Sequence, residues 1–265
     1  MSRLQQVFKA QKTSGKKLFS AFVTAGFPDL KATPELVWTL ESAGADLVEI
    51  GIPFSDALAD GPTIQKASQI ALQNGVSLNT VLDQVHKVRQ RSEVPIVLMG
   101  YLSPILKYGL NKFMKDARSA GADGLIIPDL IPEEWLRLGP SVENTLGINF
   151  LIAPNTPLQR IEMIDQMTSD FIYCVSVTGV TGARSELPSG LRSFLDSVNG
   201  HLNHPYLVGF GISTPEQAKQ IAQHSHGVIV GSAIIKLIEK HQQKDEMLDA
   251  VRKLVCELKT ALEGV

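Results

Sequence analysis

Of the four carboxylates in the stretch DLVEIGIPFSDALADGPTIQKAS (46–68), Glu49 and Asp60 are placed where acid/base chemistry could be done. Glu49 sits among Leu47, Val48, Ile50 and Ile52, an apolar run that reads as a strand buried on both faces. A carboxylate there needs a partner, a raised acidity constant or a task. Alternate residues of a strand face opposite ways, so Leu47, Glu49 and Gly51 share one face and Val48, Ile50 and Ile52 the other. The branched residues suit a layer against helices, which turns Glu49 toward the interior of a barrel, near the C-terminal mouth. Such a residue is a candidate acid/base; the plain structural alternative is a carboxylate held by backbone donors or a hidden cation. Asp60 follows in SDALADGP, within reach of the same mouth. Asp-Gly is also a good turn pair, and Asp56 carries the same ambiguity. Two carboxylates on one rim would let one group handle each of two protons.

Glycine marks a second cluster. GVTGA, GFGIS and GSAII follow three successive apolar runs toward the C-terminus. Bare backbone lets N–H groups approach an anion closely, and GSAIIKLIEK opens a helix whose N-terminus and Ser232 hydroxyl could hold a phosphate. The glycines would equally ease tight strand-to-helix turns, and none forms the G-x-G-x-x-G dinucleotide pattern. All six histidines fall in helices or in segments leading into strands, which argues against a metal cluster at strand ends. No strand carries a lysine at mid-length, which disfavours a Schiff-base mechanism. Phe22 and Met99, near strand ends, could supply an apolar wall, and Tyr101 and Tyr173 a hydroxyl, although each also suits ordinary packing. These features describe a metal-free acid/base enzyme acting on a phosphorylated substrate.

Eight apolar, β-rich runs must position these groups: 17–26, 45–54, 94–101, 122–129, 147–154, 170–179, 204–212 and 226–233. Segments such as PELVWTLESAGA and PEQAKQIAQHSHG lie between them, with apolar residues at helical spacing, proline near the first turn and small residues after the last. Alternating strand and helix predicts βαβ units and a parallel sheet. Eight units over residues 1–265 predict an α/β fold, one (β/α)8 TIM barrel in a single domain. An open doubly wound sheet is the runner-up, but gives no reason for the count to stop at eight. The opening MSRLQQVFKAQKTSGKK reads as a polar amphipathic helix. Between the second and third runs, GPTIQKASQIALQNG and SLNTVLDQVHKVRQRS read as two helices, and TGVTGARSELPSG after the sixth run as a long loop. Both connections follow a strand, on the face where barrels keep their chemistry.

Composition narrows the partners. A net charge of −2 without a basic run disfavours nucleic acid and membrane surfaces. No apolar run approaches the ~18 residues of a membrane span, and two cysteines form no visible disulfide framework. The expected location is the cytoplasm.

The motifs FVTAGFPD, GIPFSDALADGPTIQ, GVTGAR, GFGIS and GSAIIKLIE, in this order over essentially the whole chain, resemble the tryptophan synthase alpha subunit family. The resemblance implies cleavage of indole-3-glycerol phosphate to indole and glyceraldehyde 3-phosphate inside a barrel, without metal or cofactor in this chain. It implies a beta subunit partner carrying pyridoxal phosphate, in an alpha2beta2 heterotetramer, to which indole is passed. By resemblance Glu49 is the acid/base near indole C3 and the glycerol hydroxyl, and Asp60 stabilises or removes the indole N–H proton. Phe22, Met99 and Tyr173 match the indole pocket, and Thr181 matches a loop threonine that contacts the aspartate. Gly182, Gly211, Gly231 and Ser232 match phosphate positions, with Phe210 beside them. The loop carrying Asp56 and Ala57 matches the one that packs on the beta subunit. There the family most often reads PFSDPLADGP, whereas Ala57 replaces that proline here, which bears on the coupling between subunits. The same motifs would permit a free-standing lyase. A phosphosugar isomerase on the same barrel would not require PFSDALADGP, and a purely regulatory barrel would not require Glu49 and Asp60.

Overall fold

The computed structural model describes residues 1–139, 146–175, 190–209 and 211–265. Nine parallel strands form one sheet: β1 (Leu18–Thr24), β2 (Leu47–Gly51), β3 (Ile96–Met99), β4 (Gly124–Ile126), β5 (Gly147–Ile148), β6 (Leu151–Ile152), β7 (Ile172–Val175), β8 (Tyr206–Gly209) and β9 (Gly227–Val230). Their order is β5-β4-β3-β2-β1-β9-β8-β7-β6, so the two ends of the sheet are strands separated in the chain only by Asn149 and Phe150. The ring therefore closes through that short run, and the eight predicted units form the barrel. The single predicted strand 147–154 appears as two because the buried Asn149 stands at its middle. The Asn149 Oδ1 accepts the N–H groups of Asp170 at 3.1 Å and Phe171 at 3.0 Å, replacing main-chain pairing with a side chain at the seam.

Every residue of β1 and β2 is buried, as expected where a parallel sheet has side chains filling the barrel inside and helices covering it outside. The predicted helix pair after β2 is present as α3 (Pro62–Gln73) and α4 (Leu78–Arg89). A second pair, α5 (Leu102–Tyr108) and α6 (Leu110–Ala120), lies between β3 and β4. The last helix, α12 (Lys244–Leu262), lays a stripe of Met247, Val251, Val255, Leu258 and Leu262 over the barrel wall. Its Lys259 reaches the Asp46 carboxylate at 2.5 Å, and that carboxylate also accepts the Phe19 N–H at 2.7 Å.

The opening segment forms α1 (Arg3–Ser14), started by a capping box between Ser2 and Gln5. Leu4, Phe8 and Gln11 are its buried face, and the Phe8 ring stacks on Phe171 with centroids 5.3 Å apart. Phe171 immediately precedes β7, so α1 closes the N-terminal end of the barrel, opposite the mouth. Phe8→Ala is expected to cost about 3 kcal/mol of stability, as for other buried phenylalanines, with little change in turnover. Urea unfolding and steady-state rates on the same preparation test this; unchanged stability would mean that α1 does not hold the barrel end.

Candidate functional site

The mouth formed by the C-terminal ends of the strands opens into a cleft lined by Phe22, Asp60, Gly61, Ile64, Met99, Tyr173, Gly211, Ile229, Gly231 and Ser232. Seven residues singled out from sequence thus line one cleft: Phe22, Asp60, Met99, Tyr173, Gly211, Gly231 and Ser232. Thr181, Gly182 and Phe210 lie outside the described residues.

Glu49 lies in the barrel interior, fully buried, in register with Phe22 on β1 and Val97 on β3. Its Oε1 accepts the Ser20 hydroxyl at 2.8 Å, while Oε2 is buried with no hydrogen-bond partner among the described residues. Burial pushes this carboxyl up to about 7, against the smaller opposing effect of the Ser20 hydrogen bond. At neutral pH the group is therefore poised to hold or release a proton. The Tyr173 phenol is pushed up chiefly by burial and further by the charges of Glu49 and Asp60, so its ring belongs to the same electrostatic neighbourhood as both acids.

The next inward position of β2 above Glu49 is Gly51, where a Cβ would come within 2.5 Å of the Phe22 ring. At Gly231 it would lie 3.2 Å from Phe22 Cβ. Two glycines thus leave room for the Phe22 ring at the cleft. Met99, at the end of β3, pairs with Gly51 and adds a flexible apolar surface.

Asp60 is half-buried in the loop between β2 and α3. Burial raises its carboxyl to about 6, and a hydrogen bond from Tyr101 opposes that rise. The Tyr101 hydroxyl also accepts the Ala59 N–H at 3.0 Å. From α3, Gln65 donates to the carbonyls of Ala57 at 3.1 Å and Asp60 at 2.9 Å, so the loop is held from both sides. In the same loop Asp56 is exposed and Ala57 buried, while Leu58 is 92% exposed. Tyr101, a possible hydroxyl donor in the sequence without an assigned partner, is the residue that orders the Asp60 loop.

At the same mouth, α11 (Ser232–Lys240) begins at Gly231 with no side-chain cap and no acid in its first turn. The leading N–H groups of a helix lack intrahelical acceptors and attract anions. The cleft therefore carries the Asp60 carboxyl, the apolar side chains of Phe22 and Met99 and the anion-attracting end of α11 on its lining, with the buried Glu49 carboxyl in register with Phe22 inside the barrel. Among the described residues no group of three or more His, Cys, Asp or Glu side chains could hold a metal ion.

The comparisons with known proteins agree with this geometry. The family model described as "Tryptophan synthase alpha chain" matches residues 8–263. A tryptophan synthase alpha chain from Geobacter sp. (strain M21) is 48% identical over 260 residues, covering 98% of this chain and 97% of the relative. One from Thermoanaerobacter sp. (strain X514) is 44% identical, covering 99% and 100%. The crystal structure of tryptophan synthase subunit alpha from Legionella pneumophila str. Paris superimposes with a TM-score of 0.92 at 36% identity, covering 100% of both chains. With the match running along essentially the whole barrel, the chain belongs to the tryptophan synthase alpha chain family, lyases that cleave indole-3-glycerol phosphate to indole and glyceraldehyde 3-phosphate.

Proposed function

We infer that Glu49 and Asp60 divide the proton work of this cleavage, and that the chain performs it docked on a beta subunit. Breaking the bond between indole C3 and the glycerol chain requires C3 to gain a proton. Protonated Glu49 supplies it, giving an indolenine whose positive nitrogen the Asp60 carboxylate stabilises. The glycerol hydroxyl then loses its proton to Glu49 as its C–O bond becomes the aldehyde. The electrons of the broken C–C bond return to the ring as indole, and Glu49 ends the cycle protonated. The observation that carries this reading is the buried Glu49 Oε2, without a hydrogen-bond partner among the described residues, in the barrel whose mouth presents Asp60. A half-ionised acid and a mostly ionised one suit these two roles.

Phe22, Met99 and Tyr173 face the indole, and the family resemblance assigns Thr181, outside the described residues, to the same pocket. Gly211, Gly231 and Ser232 hold the phosphate at the α11 N-terminus, and the family resemblance assigns Gly182 and Phe210, outside the described residues, to the same site. Pyridoxal phosphate belongs to the beta partner, and this chain uses only its own side chains. The expected assembly is an alpha2beta2 heterotetramer in the cytoplasm; among the described residues no helix is long and apolar enough to cross a membrane.

The loop of Asp56 and Ala57 is the proposed docking point. Apolar side chains stand exposed in the segments that follow four strands: Leu58 at 92% exposure, Leu106 at 45%, Ile131 at 50% and Leu158 at 43%. A partner docked on that end of the barrel would cover them. Indole release from indole-3-glycerol phosphate, measured with and without added beta subunit, tests the reading. Slow release that rises steeply with the partner supports it, whereas fast release indifferent to the partner indicates a free-standing lyase. Leu58→Asp is expected to leave the rate of the isolated chain within about twofold and to weaken the beta-subunit titration about tenfold, the loss of a modest interface contact. An unchanged titration would remove Leu58 from the interface.

A further inference from the structure

The inward faces of β1 and β2 are apolar apart from three side chains: Ser20, Thr24 and Glu49. Barrel interiors are ordinarily filled by branched apolar residues, so a serine beside the buried acid calls for a reason. Ser20 pairs in register with Leu47, which makes Glu49 its diagonal neighbour one inward step further along β2. Both residues are fully buried, and the Ser20 Oγ donates to Glu49 Oε1 at 2.8 Å. No other hydrogen bond reaches this carboxyl among the described residues; Oε2 is sealed from solvent and unpartnered. The remaining register neighbours of Glu49 are Phe22 and Val97, both apolar, and the titratable group that feels the Glu49 charge is the Tyr173 phenol.

This asymmetry has a chemical consequence. A carboxyl free to rotate would present either oxygen to a reacting carbon, and each wrong rotamer is unproductive. One short hydrogen bond distinguishes the two oxygens, fixes the plane of the group and leaves a single oxygen with capacity to spare. It also supports the ionised form that must exist between the two proton transfers.

We propose that Ser20 is a positioning residue for the lyase reaction: its hydroxyl holds Oε1 of Glu49, so that Oε2 is the atom that gives the proton to indole C3 and takes it back from the glycerol hydroxyl. The proposal rests on the acid/base role of Glu49. It requires Ser20 to act on kcat rather than on substrate affinity, since Ser20 does not line the cleft.

The test compares wild type, Ser20→Ala, Ser20→Thr and Glu49→Gln as complexes with the beta subunit, following indole release across pH. Ser20→Ala is expected to lower kcat about tenfold, the effect of one hydrogen bond to a charged group, with KM within about twofold. The pH at which kcat falls on the alkaline side should move upward, because the ionised carboxyl has lost its donor. Ser20→Thr, which keeps the hydroxyl, should retain the wild-type alkaline midpoint. Wild-type kcat and an unmoved midpoint in Ser20→Ala would overturn the proposal, as would a loss of kcat with the midpoint unmoved, which is what altered packing alone would give. Glu49→Gln separates the two levels. If it still turns over, the acid/base reading falls; if it is inactive while Ser20→Ala behaves as wild type, only the Ser20 role falls.

Discussion

Glu49→Gln should abolish indole release, with kcat reduced by about 10⁴-fold, the upper end for a single acid/base group. The upper end applies because one side chain is asked to make both proton transfers, and an amide can make neither. Gln is nearly isosteric, and its carbonyl oxygen can still accept the Ser20 hydroxyl that now meets Oε1 at 2.8 Å. Substrate affinity should therefore stay within a few-fold, and the loss should fall on kcat.

The same substitution carries a stability signature of defined sign. Burial moves the Glu49 carboxyl from an ordinary 4.5 to about 7. Between those values the folded protein holds a proton that the unfolded chain has released, so wild-type stability falls as pH rises through this window. The accumulated cost above pH 7 is on the order of 3 kcal/mol. Gln does not titrate, so the stability of Glu49→Gln relative to wild type should climb by about that amount from pH 4.5 to pH 7. Urea unfolding at pH 5 and pH 8 reads it directly. A variant that is inactive but shows no such climb would mean that Glu49 is not the buried acid described here.

The sequence carried the barrel and the inward turn of Glu49 because both follow from local periodicity, whereas Asp60 stood in a turn-like Asp-Gly pair and took its role from the family resemblance. Alternation along 46–52 is enough to turn Glu49 inward, and eight runs with helical segments between them are enough for the ring. Three features depended on long-range geometry instead. The seam at Asn149 splits a strand because a side chain from that run captures N–H groups of Asp170 and Phe171, more than twenty residues away. Tyr101 was visible as a hydroxyl, but that it orders the Asp60 loop depends on how β3 and β2 end beside each other. Ser20 had the same parity signal as Glu49, two positions before Phe22 on the inward face of its strand. Nothing local paired it with the acid, because strand register is fixed by the closed sheet rather than by either strand alone.

Asp60→Asn is the second decisive substitution, expected to lower kcat at least about 10²-fold through loss of charge at the indole nitrogen. Asn keeps an oxygen for the Tyr101 hydroxyl, and the Gln65 bond goes to the Asp60 main-chain carbonyl, so the loop should remain ordered. The effect is thus one of charge rather than of shape. The diagnostic result lies in the pH profile. Wild-type kcat/KM should rise with pH through about 6 as Asp60 ionises and fall through about 7 as Glu49 loses its proton. Two values so close give a narrow optimum whose apparent limbs belong to the pair of acids together. Removing the ionisable group at position 60 should erase the acidic limb and leave the alkaline one, so that residual activity becomes level below pH 6. An acidic limb that survives in Asp60→Asn would assign that ionisation to another group and detach Asp60 from the reaction. Asp60 and Glu49 would then no longer divide the two protons between them: Glu49 would account for the alkaline limb alone, and a second ionising group would have to supply the acidic one, because a single ionisation gives only one limb.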